Sequence, residues 1–285
     1  MKQSYQNSSG APAPFQTVNV PSTLMLKHKH IPIHVEGVIM STDAYFEQAI
    51  ATLQTVMETQ REPMARAAEM LADAIAGDRS IFSFGASHSF ILTEELVYRT
   101  GGLMLINPIY PHGMNLSVRP MTLTSKLERV VGLGATLLEG SPAKAGDVLL
   151  IASTSGRNAV VIDMALAAKE KGLHVIGITA LAYTRDVGSR HPSGKKLVDL
   201  CDLIIDNGAP YGDAAVEIPG FPQKVGPLST VTGCAVVNAL VAATVELLVE
   251  RGVTPPVFIS ANVDGGDAFN ARLLAENRHR IHYME

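Results

Sequence analysis

Residues 147–152, with the sequence DVLLIA, are the feature that most limits what this chain can fold into. Five apolar residues in a row after Asp147 are typical of a strand in the middle of a parallel sheet, where both faces are covered. Four further short apolar segments alternate with longer helical stretches, and they are residues 81–84, 103–106, 174–179 and 203–206. This alternation predicts an α/β fold, a three-layer αβα sandwich with a five-stranded, doubly wound parallel sheet.

The segments between these strands carry the apolar period and the end signals of helices. Ser125 is placed to cap one helix, and Asp267 is placed to cap the last one. The predicted helices are residues 44–59, 63–76, 90–99, 125–138, 158–171, 197–201, 227–251 and 267–280.

Residues 1–40 differ from the rest and are predicted to be an irregular N-terminal extension, followed by one domain over residues 41–285 with helices at its start and a helical tail. His28, His30 and His34 alternate in this extension, a spacing that would suit a metal on a strand. No third ligand type lies nearby, so we predict no metal or other cofactor, and an arm packed on the domain or on a neighbouring subunit is the alternative.

Composition argues against several partners. The formal net charge is −4 with no long basic run, which disfavours nucleic acid. Residues 231–248 come closest to a membrane span, but polar residues interrupt them. Cys201 and Cys234 stand in apolar contexts and are predicted to be buried, reduced core residues. We therefore expect a soluble, cytoplasmic protein.

The strand at 147–152 runs directly into Ser153-Thr154-Ser155-Gly156-Arg157-Asn158 and then into a helix. Three hydroxyl groups, a glycine that permits close approach and the positive end of a helix dipole are what an anion site requires. Asn158 fits as the helix cap or as a further phosphate donor. An ordinary capped turn is the alternative, since serine, glycine and asparagine are turn residues.

The first strand ends in a similar loop, Gly85-Ala86-Ser87-His88-Ser89, and again enters a helix. Carboxyl ends of parallel strands are where ligands bind, so Ser87 and Ser89 are candidates for the same anion. Neither loop contains G-x-G-x-x-G or the Gly-Lys-Ser/Thr of a P-loop. The pattern favours a sugar phosphate over a nucleotide.

These residues resemble the sugar-isomerase (SIS) family of phosphosugar isomerases and phosphosugar-binding domains over roughly residues 43–252. GDVLLIASTSGRN at 146–158 is similar to the family's strand and S-x-S-G-x-T phosphate loop, with Asn158 in place of threonine. GASHSFILTEELVYRTGG at 85–102, HPSGKKL at 191–197 and SANVDGGDAFN at 260–270 look like a bacterial subgroup of that family. The resemblance implies a flavodoxin-like five-stranded core and a homodimer or larger homo-oligomer.

Isomerisation needs a base and an acid near the phosphate. TEEL at 93–96 resembles the heptose-phosphate isomerase branch, which implies Glu95 as the base; the alternative is a Glu95–Arg99 ion pair on the helix surface. His88 and His112 are the histidine candidates by position, ahead of His191.

The tail adds two candidates, since Asn262 and Asp264 could contact sugar hydroxyls. The leading hypothesis is an aldose–ketose isomerase acting on a sugar phosphate or amino-sugar phosphate. An SIS-type lyase or etherase and a non-catalytic phosphosugar sensor are the alternatives, since fold does not fix function.

Overall fold

The computed structural model describes residues 41–284 of this 285-residue chain. The predicted extension at residues 1–40, with its three histidines, lies outside the described residues. The α-helices are α1 (Ser41–Thr59), α2 (Arg61–Ala76), α3 (Phe90–Leu96), α4 (Thr122–Leu127), α5 (Leu133–Glu139), α6 (Ala159–Glu170), α7 (Leu181–Arg185), α8 (Ser229–Glu250) and α9 (Gly266–Glu276). The strands are β1 (Ile81–Gly85), β2 (Ile106–Pro108), β3 (Val148–Ala152), β4 (His174–Thr179), β5 (Leu203–Asp206), β6 (Ala214–Val216) and β7 (Val225–Pro227).

Five of the strands form one sheet in the order β2-β1-β3-β4-β5, and every pair in it is parallel. This confirms the predicted α/β class and the doubly wound sheet. The chain moves outward in one direction from β1 to β2 and in the other from β3 to β5. The carboxyl ends of β1 and β3 therefore flank the topological switch point, where sheets of this kind bind ligands.

Alternation along each strand builds two cores, one on each face of the sheet. On one face, Ile81 and Leu150 pack with the apolar sides of α2 and α8. On the other face, Phe82 and Leu149 pack with α6 and with Leu138 of α5. Helices thus cover both faces, which is the predicted three-layer arrangement and the reason the central strands read as unbroken apolar runs.

Several predicted element boundaries were wrong. Helix α3 ends at Leu96 because Val97 is extended, with ψ of 135°, and Tyr98 then adopts a left-handed backbone with φ of 50°. The second strand begins at Ile106, and Leu103 instead forms an isolated antiparallel bridge with Val257. Asp267 lies inside the first turn of α9, and the preceding cap position is held by Gly265.

The single helix predicted over residues 125–138 is two short helices, α4 and α5. Gly132 separates them with φ of 88°, a conformation that glycine adopts without the steric cost of a side chain. The antiparallel β6–β7 hairpin and helix α7 were not predicted, because these segments are too short to develop a period.

Helix α8 is the one helix of residues 41–284 that is long and apolar enough to cross a membrane, with 22 residues and a mean hydropathy of 1.8. Its buried side chains, among them Val237, Leu240 and Leu248, belong to the core beneath α2. The core helix of a globular domain has this same composition, and 44% of the apolar window is buried here.

Both cysteines are free thiols that pack against the cores, and both are partly rather than fully buried. Burial, with a smaller contribution from Asp202, raises the pKa of the Cys201 thiol to about 12. Burial also raises the pKa of Cys234. Neither thiol is activated as a nucleophile, since the reactive form is the thiolate.

Close packing of α5 on α6 depends on Gly134. A Cβ atom at this position would lie 2.0 Å from the carbonyl oxygen of Val160 and 2.7 Å from the amide nitrogen of Met164. Gly134→Ala should lower the free energy of unfolding by about 2–3 kcal/mol, as overpacked cores do. Urea denaturation of the purified variant measures this directly.

Gly140→Ala is the matched control, since its Cβ would meet atoms at 3.6 Å and 3.7 Å, an ordinary contact. We expect this change to leave stability unchanged or raise it by up to about 1 kcal/mol. Equal stability of the two variants would contradict the account of the α5–α6 contact.

Candidate functional site

A cleft with a volume of about 160 Å³ opens at the carboxyl ends of β1 and β3, at the switch point of the sheet. The loops after these two strands line most of it, and the rest is supplied by Glu128, directly after α4, and by one residue each of α6 and α7. The lining residues are Ala86, Ser87, His88, Ser89, Glu128, Ala152, Ser153, Thr154, Ser155, Asn158, Val161 and Tyr183. A second cavity of about 10 Å³ shares the loop residues and reaches the start of α8.

The loop after β3 turns its carbonyl groups away from the cleft. The oxygens of Thr154, Ser155 and Gly156 accept hydrogen bonds from the β4–α7 region and from Leu197, at 2.9–3.2 Å. The backbone N–H groups of Thr154, Ser155, Arg157 and Asn158 have no acceptor among residues 41–284. Unpaired N–H groups next to the N-terminus of a 12-residue helix are the kind of donors that can bind an anion.

Gly156 makes this loop possible. Its φ of 60° is left-handed, and an added Cβ would approach Leu197 to 3.3 Å. The N–H of Gly156 donates to the Ser153 hydroxyl at 3.2 Å, which tightens the turn. Gly156 itself does not line the cleft, so its role is to shape the loop that presents the neighbouring hydroxyls.

The loop after β1 is held just as tightly. A Cβ on Gly85 would lie 2.4 Å from the carbonyl oxygen of Ser89, so the chain turns back on itself there. Ser87 has φ of 52°, a strained conformation for a residue with a side chain, and its N–H donates to the carbonyl of Met114 at 2.7 Å. Strain of this kind at a cleft is typical of functional sites.

Glu128 joins the two loops. Its carboxylate accepts a hydrogen bond from the Ser87 hydroxyl at 2.5 Å and another from the Asn158 amide at 2.7 Å. Its backbone carbonyl also accepts from the N–H of Val160, in the first turn of α6, at 3.1 Å. The result is an oriented carboxylate in the cleft, beside the hydroxyls of both loops.

Asn158 occupies the position before α6, but its side chain makes no capping hydrogen bond. Its amide instead donates to Glu128, while its side-chain oxygen accepts from the Arg190 guanidinium at 3.0 Å. The cap role considered from the sequence is thus absent, and Asn158 positions Glu128 and Arg190 relative to each other.

The structure brings together most of the residues proposed for the phosphate. Those lining the cleft are Ser87, Ser89, Ser153, Thr154, Ser155, Asn158 and the histidine candidate His88. Asn262 and Asp264 do not line it and are exposed in the segment before α9.

Glu95 is not brought to this cleft. Its carboxylate forms an ion pair with Arg99 one helical turn away and accepts a hydrogen bond from Asn238 of α8 at 2.7 Å. This is the ion-pair alternative considered from the sequence. A proton-transfer role for Glu95 stays a prediction, and the geometry of residues 41–284 favours the surface pair.

The remaining histidines also lie outside the cleft lining. His112 is exposed, next to Tyr110, on the segment whose Met114 binds Ser87. His191 is buried, and its Nε2 lies 3.0 Å from the carboxylate of Asp163. Among residues 41–284, no group of three or more His, Cys, Asp or Glu residues is arranged to hold a metal ion.

Sequence reasoning missed Glu128 and Tyr183. Glu128 stands in a predicted helix with no motif around it, and Tyr183 lies on α7, which was not predicted. No sequence motif or residue spacing marks a carboxylate at this place between the second and third strands. Its contacts with Ser87 and Asn158 arise only when the loops have folded.

Asp163 connects two chain segments that lie next to the site. Its carboxylate accepts from the N–H of Gly132 at 2.7 Å and contacts His191, whose Nδ1 lies 2.7 Å from the Ser193 hydroxyl. This buried group ties the α4–α5 connection, which follows Glu128, to the loop that carries Arg190.

Asp163→Ala should lower the free energy of unfolding by about 2–3 kcal/mol, because it leaves the Gly132 N–H and the buried His191 ring without their partner. Thermal and urea denaturation measure the loss. Asp186→Ala is the control: Asp186 is exposed, directly after α7, and its loss should alter stability by less than about 0.5 kcal/mol. An Asp163 variant as stable as the Asp186 variant would contradict this structural role.

Residues 44–180, which include both loops of the cleft, match the family model described as SIS domain. The UPF0309 protein ABC0887 of Shouchella clausii is 47% identical over 242 residues, covering 85% of this chain and 98% of that protein. The UPF0309 protein OB3413 of Oceanobacillus iheyensis is 47% identical over 240 residues, covering 84% and 98%. The chain belongs to the UPF0309 family of SIS-domain proteins.

Solved structures that resemble this chain do so at lower sequence identity. Phosphoheptose isomerase GmhA from Neisseria gonorrhoeae is 20% identical with a TM-score of 0.48, covering 72% of this chain and 97% of that chain. The Vibrio vulnificus NanR protein complexed with ManNAc-6P is 19% identical with a TM-score of 0.47, covering 82% and 69%. The family assignment depends on the sequence relatives.

Proposed function

We propose that the cleft binds the phosphate of a sugar phosphate or amino-sugar phosphate. The observation that carries this is the convergence of two hydroxyl-rich loops and the unpaired N–H groups before α6 on one small cleft. Membership of the SIS family supports the same proposed function. The N-terminus of α8, by contrast, is already occupied, because Asp213 accepts from the N–H groups of Leu228 and Ser229.

We further propose that the chain is an aldose–ketose isomerase in which Glu128 moves the proton. Its carboxylate is the one that lines the cleft, and two hydrogen bonds fix its direction. Glu128 would take the proton from the carbon next to the sugar carbonyl, leaving an enediolate. It would then return that proton to the neighbouring carbon, which completes the isomerisation.

His88 is the group proposed to serve the sugar oxygens. It lines the cleft and is exposed at its edge. As an imidazolium it would protonate the carbonyl oxygen while Glu128 removes the carbon-bound proton, and it would then accept a proton from the adjacent hydroxyl. Glu128 and His88 each end the reaction in the protonation state in which they began it, and the reaction requires no cofactor.

Glu128→Gln should abolish exchange of the substrate's carbon-bound proton with solvent deuterium and slow ketose formation by about 100-fold or more. Proton NMR in deuterium oxide, run over a panel of five- to seven-carbon aldose and ketose phosphates, measures both quantities. Exposed Glu139→Gln is the control and should behave as wild type. Glu95→Gln tests the sequence-based alternative in the same assay.

Each contrary outcome has a definite meaning. If Glu128→Gln kept full proton exchange and Glu95→Gln lost it, the catalytic base would be Glu95 and not Glu128. Deuterium incorporation with release of a substituent and no ketose would identify a lyase or etherase. Firm binding without exchange in wild type would identify a phosphosugar sensor.

A soluble, cytoplasmic homodimer that binds neither nucleic acid nor membrane completes the proposal. Phe46, Ile50 and Met57 of α1 are exposed large apolar side chains at helical spacing, which a second copy would cover. A sedimentation mass equal to one 30.3 kDa chain would contradict the dimer.

A further inference from the structure

Three arginines gather on the Asn158 side of the cleft. Arg129 follows Glu128 in the chain, and Arg157 precedes Asn158. Arg190 donates through its guanidinium to the Asn158 side chain at 3.0 Å and through its backbone N–H to the carbonyl of Arg157 at 2.9 Å. Asn158 and Glu128 line the cleft, and the three arginines adjoin these two residues, Arg129 and Arg157 along the chain and Arg190 through its hydrogen bond to Asn158.

The positive charges in this group are not neutralised by salt bridges. Within residues 41–284, none of the three arginines has a carboxylate within 4.0 Å. The Nε atom of Arg157 is buried and has no hydrogen-bond partner in the described chain. Partial burial, followed by the charges of Arg157 and Arg129, lowers the pKa of Arg190, while Tyr183 and the Glu128 carboxylate act in the opposite direction.

Gathering like charges and burying an unpaired donor both cost free energy. An anionic group placed among the three guanidiniums would remove both costs. The phosphate does not supply it, because the hydroxyls proposed to hold the phosphate belong to residues that line the cleft, whereas the three guanidinium groups adjoin its Asn158 side.

We propose that Arg190, together with Arg157 and Arg129, forms a subsite for a second anionic group on the substrate, beyond the phosphate. This inference rests on the proposed phosphosugar function and narrows its substrate class. The substrate is then a sugar phosphate that also carries a carboxylate or a second phosphate. Guanidinium groups bind both kinds of anion through paired N–H donors.

Calorimetric titration of matched probes tests this subsite. Fructose 6-phosphate is compared with fructose 1,6-bisphosphate, and glucose 6-phosphate with 6-phosphogluconate. We expect the doubly anionic member of at least one pair to bind wild type roughly tenfold more tightly. That preference should shrink with added salt. The first pair tests a second phosphate and the second pair tests a carboxylate, so the two pairs distinguish the two kinds of second anion.

Arg190→Gln and Arg157→Gln should each bring the affinity ratio of the doubly and singly anionic probes close to one. The ratio is the readout because Arg157 belongs to the phosphate loop and Arg190 contacts Asn158, so either change could also alter the monophosphate affinity itself. Arg185→Gln is the matched control: Arg185 is exposed, does not line the cleft, and should keep the preference. Ser155→Ala should weaken both members of each pair.

Failure of this inference and failure of the proposed function give different results. Equal binding of both members of every pair by wild type, or a preference unchanged in both Arg190→Gln and Arg157→Gln, would overturn the subsite and leave the phosphate site standing. No binding of any sugar phosphate by wild type would overturn the phosphate site and the subsite together.

Discussion

The pair of hydrogen bonds made by the Glu128 carboxylate is the interaction on which the candidate site depends. One reaches the Ser87 hydroxyl on the loop after β1, and the other reaches the Asn158 amide on the loop after β3. Parallel pairing of β1 with β3 brings the two loops to the same edge of the sheet, but pairing alone does not fix their side chains. Glu128 does so, and the backbone bond between its carbonyl and Val160 anchors it to α6. A ligand that entered the cleft would therefore meet a carboxylate whose direction is already set.

The same region holds unfavourable interactions that a ligand would relieve. Ser87 is strained, four loop N–H groups have no acceptor among residues 41–284, and the arginines beside Asn158 have no carboxylate partner there. Each costs free energy in the free protein, and the unpaired N–H groups and the gathered positive charges would be compensated by negative charge. The surrounding fold tolerates these costs because both faces of the sheet are closely packed, with Phe82, Leu149 and Leu150 almost fully buried.

The parts of the chain governed by local pattern could be predicted. The five parallel strands, the long helices and the hydroxyl loops follow from unbroken apolar runs, helical period and strand-loop-helix order. The break at Gly132, the end of α3 at Tyr98 and the β6–β7 hairpin depend on single backbone conformations or very short elements that no period encodes. Glu95 was chosen by resemblance, and the fold pairs it with Arg99 instead. Glu128 was missed because its role exists only where distant segments meet.

A crystal structure of the protein with a bound sugar phosphate tests the central claim most directly. The account predicts that the phosphate lies between the two loops. Its oxygens should be about 3 Å from backbone N–H groups of the loop after β3 and from a serine hydroxyl of the loop after β1. Phosphate bound elsewhere would contradict the account, for example in the larger cleft of about 280 Å³ beside Tyr98 and Asn270.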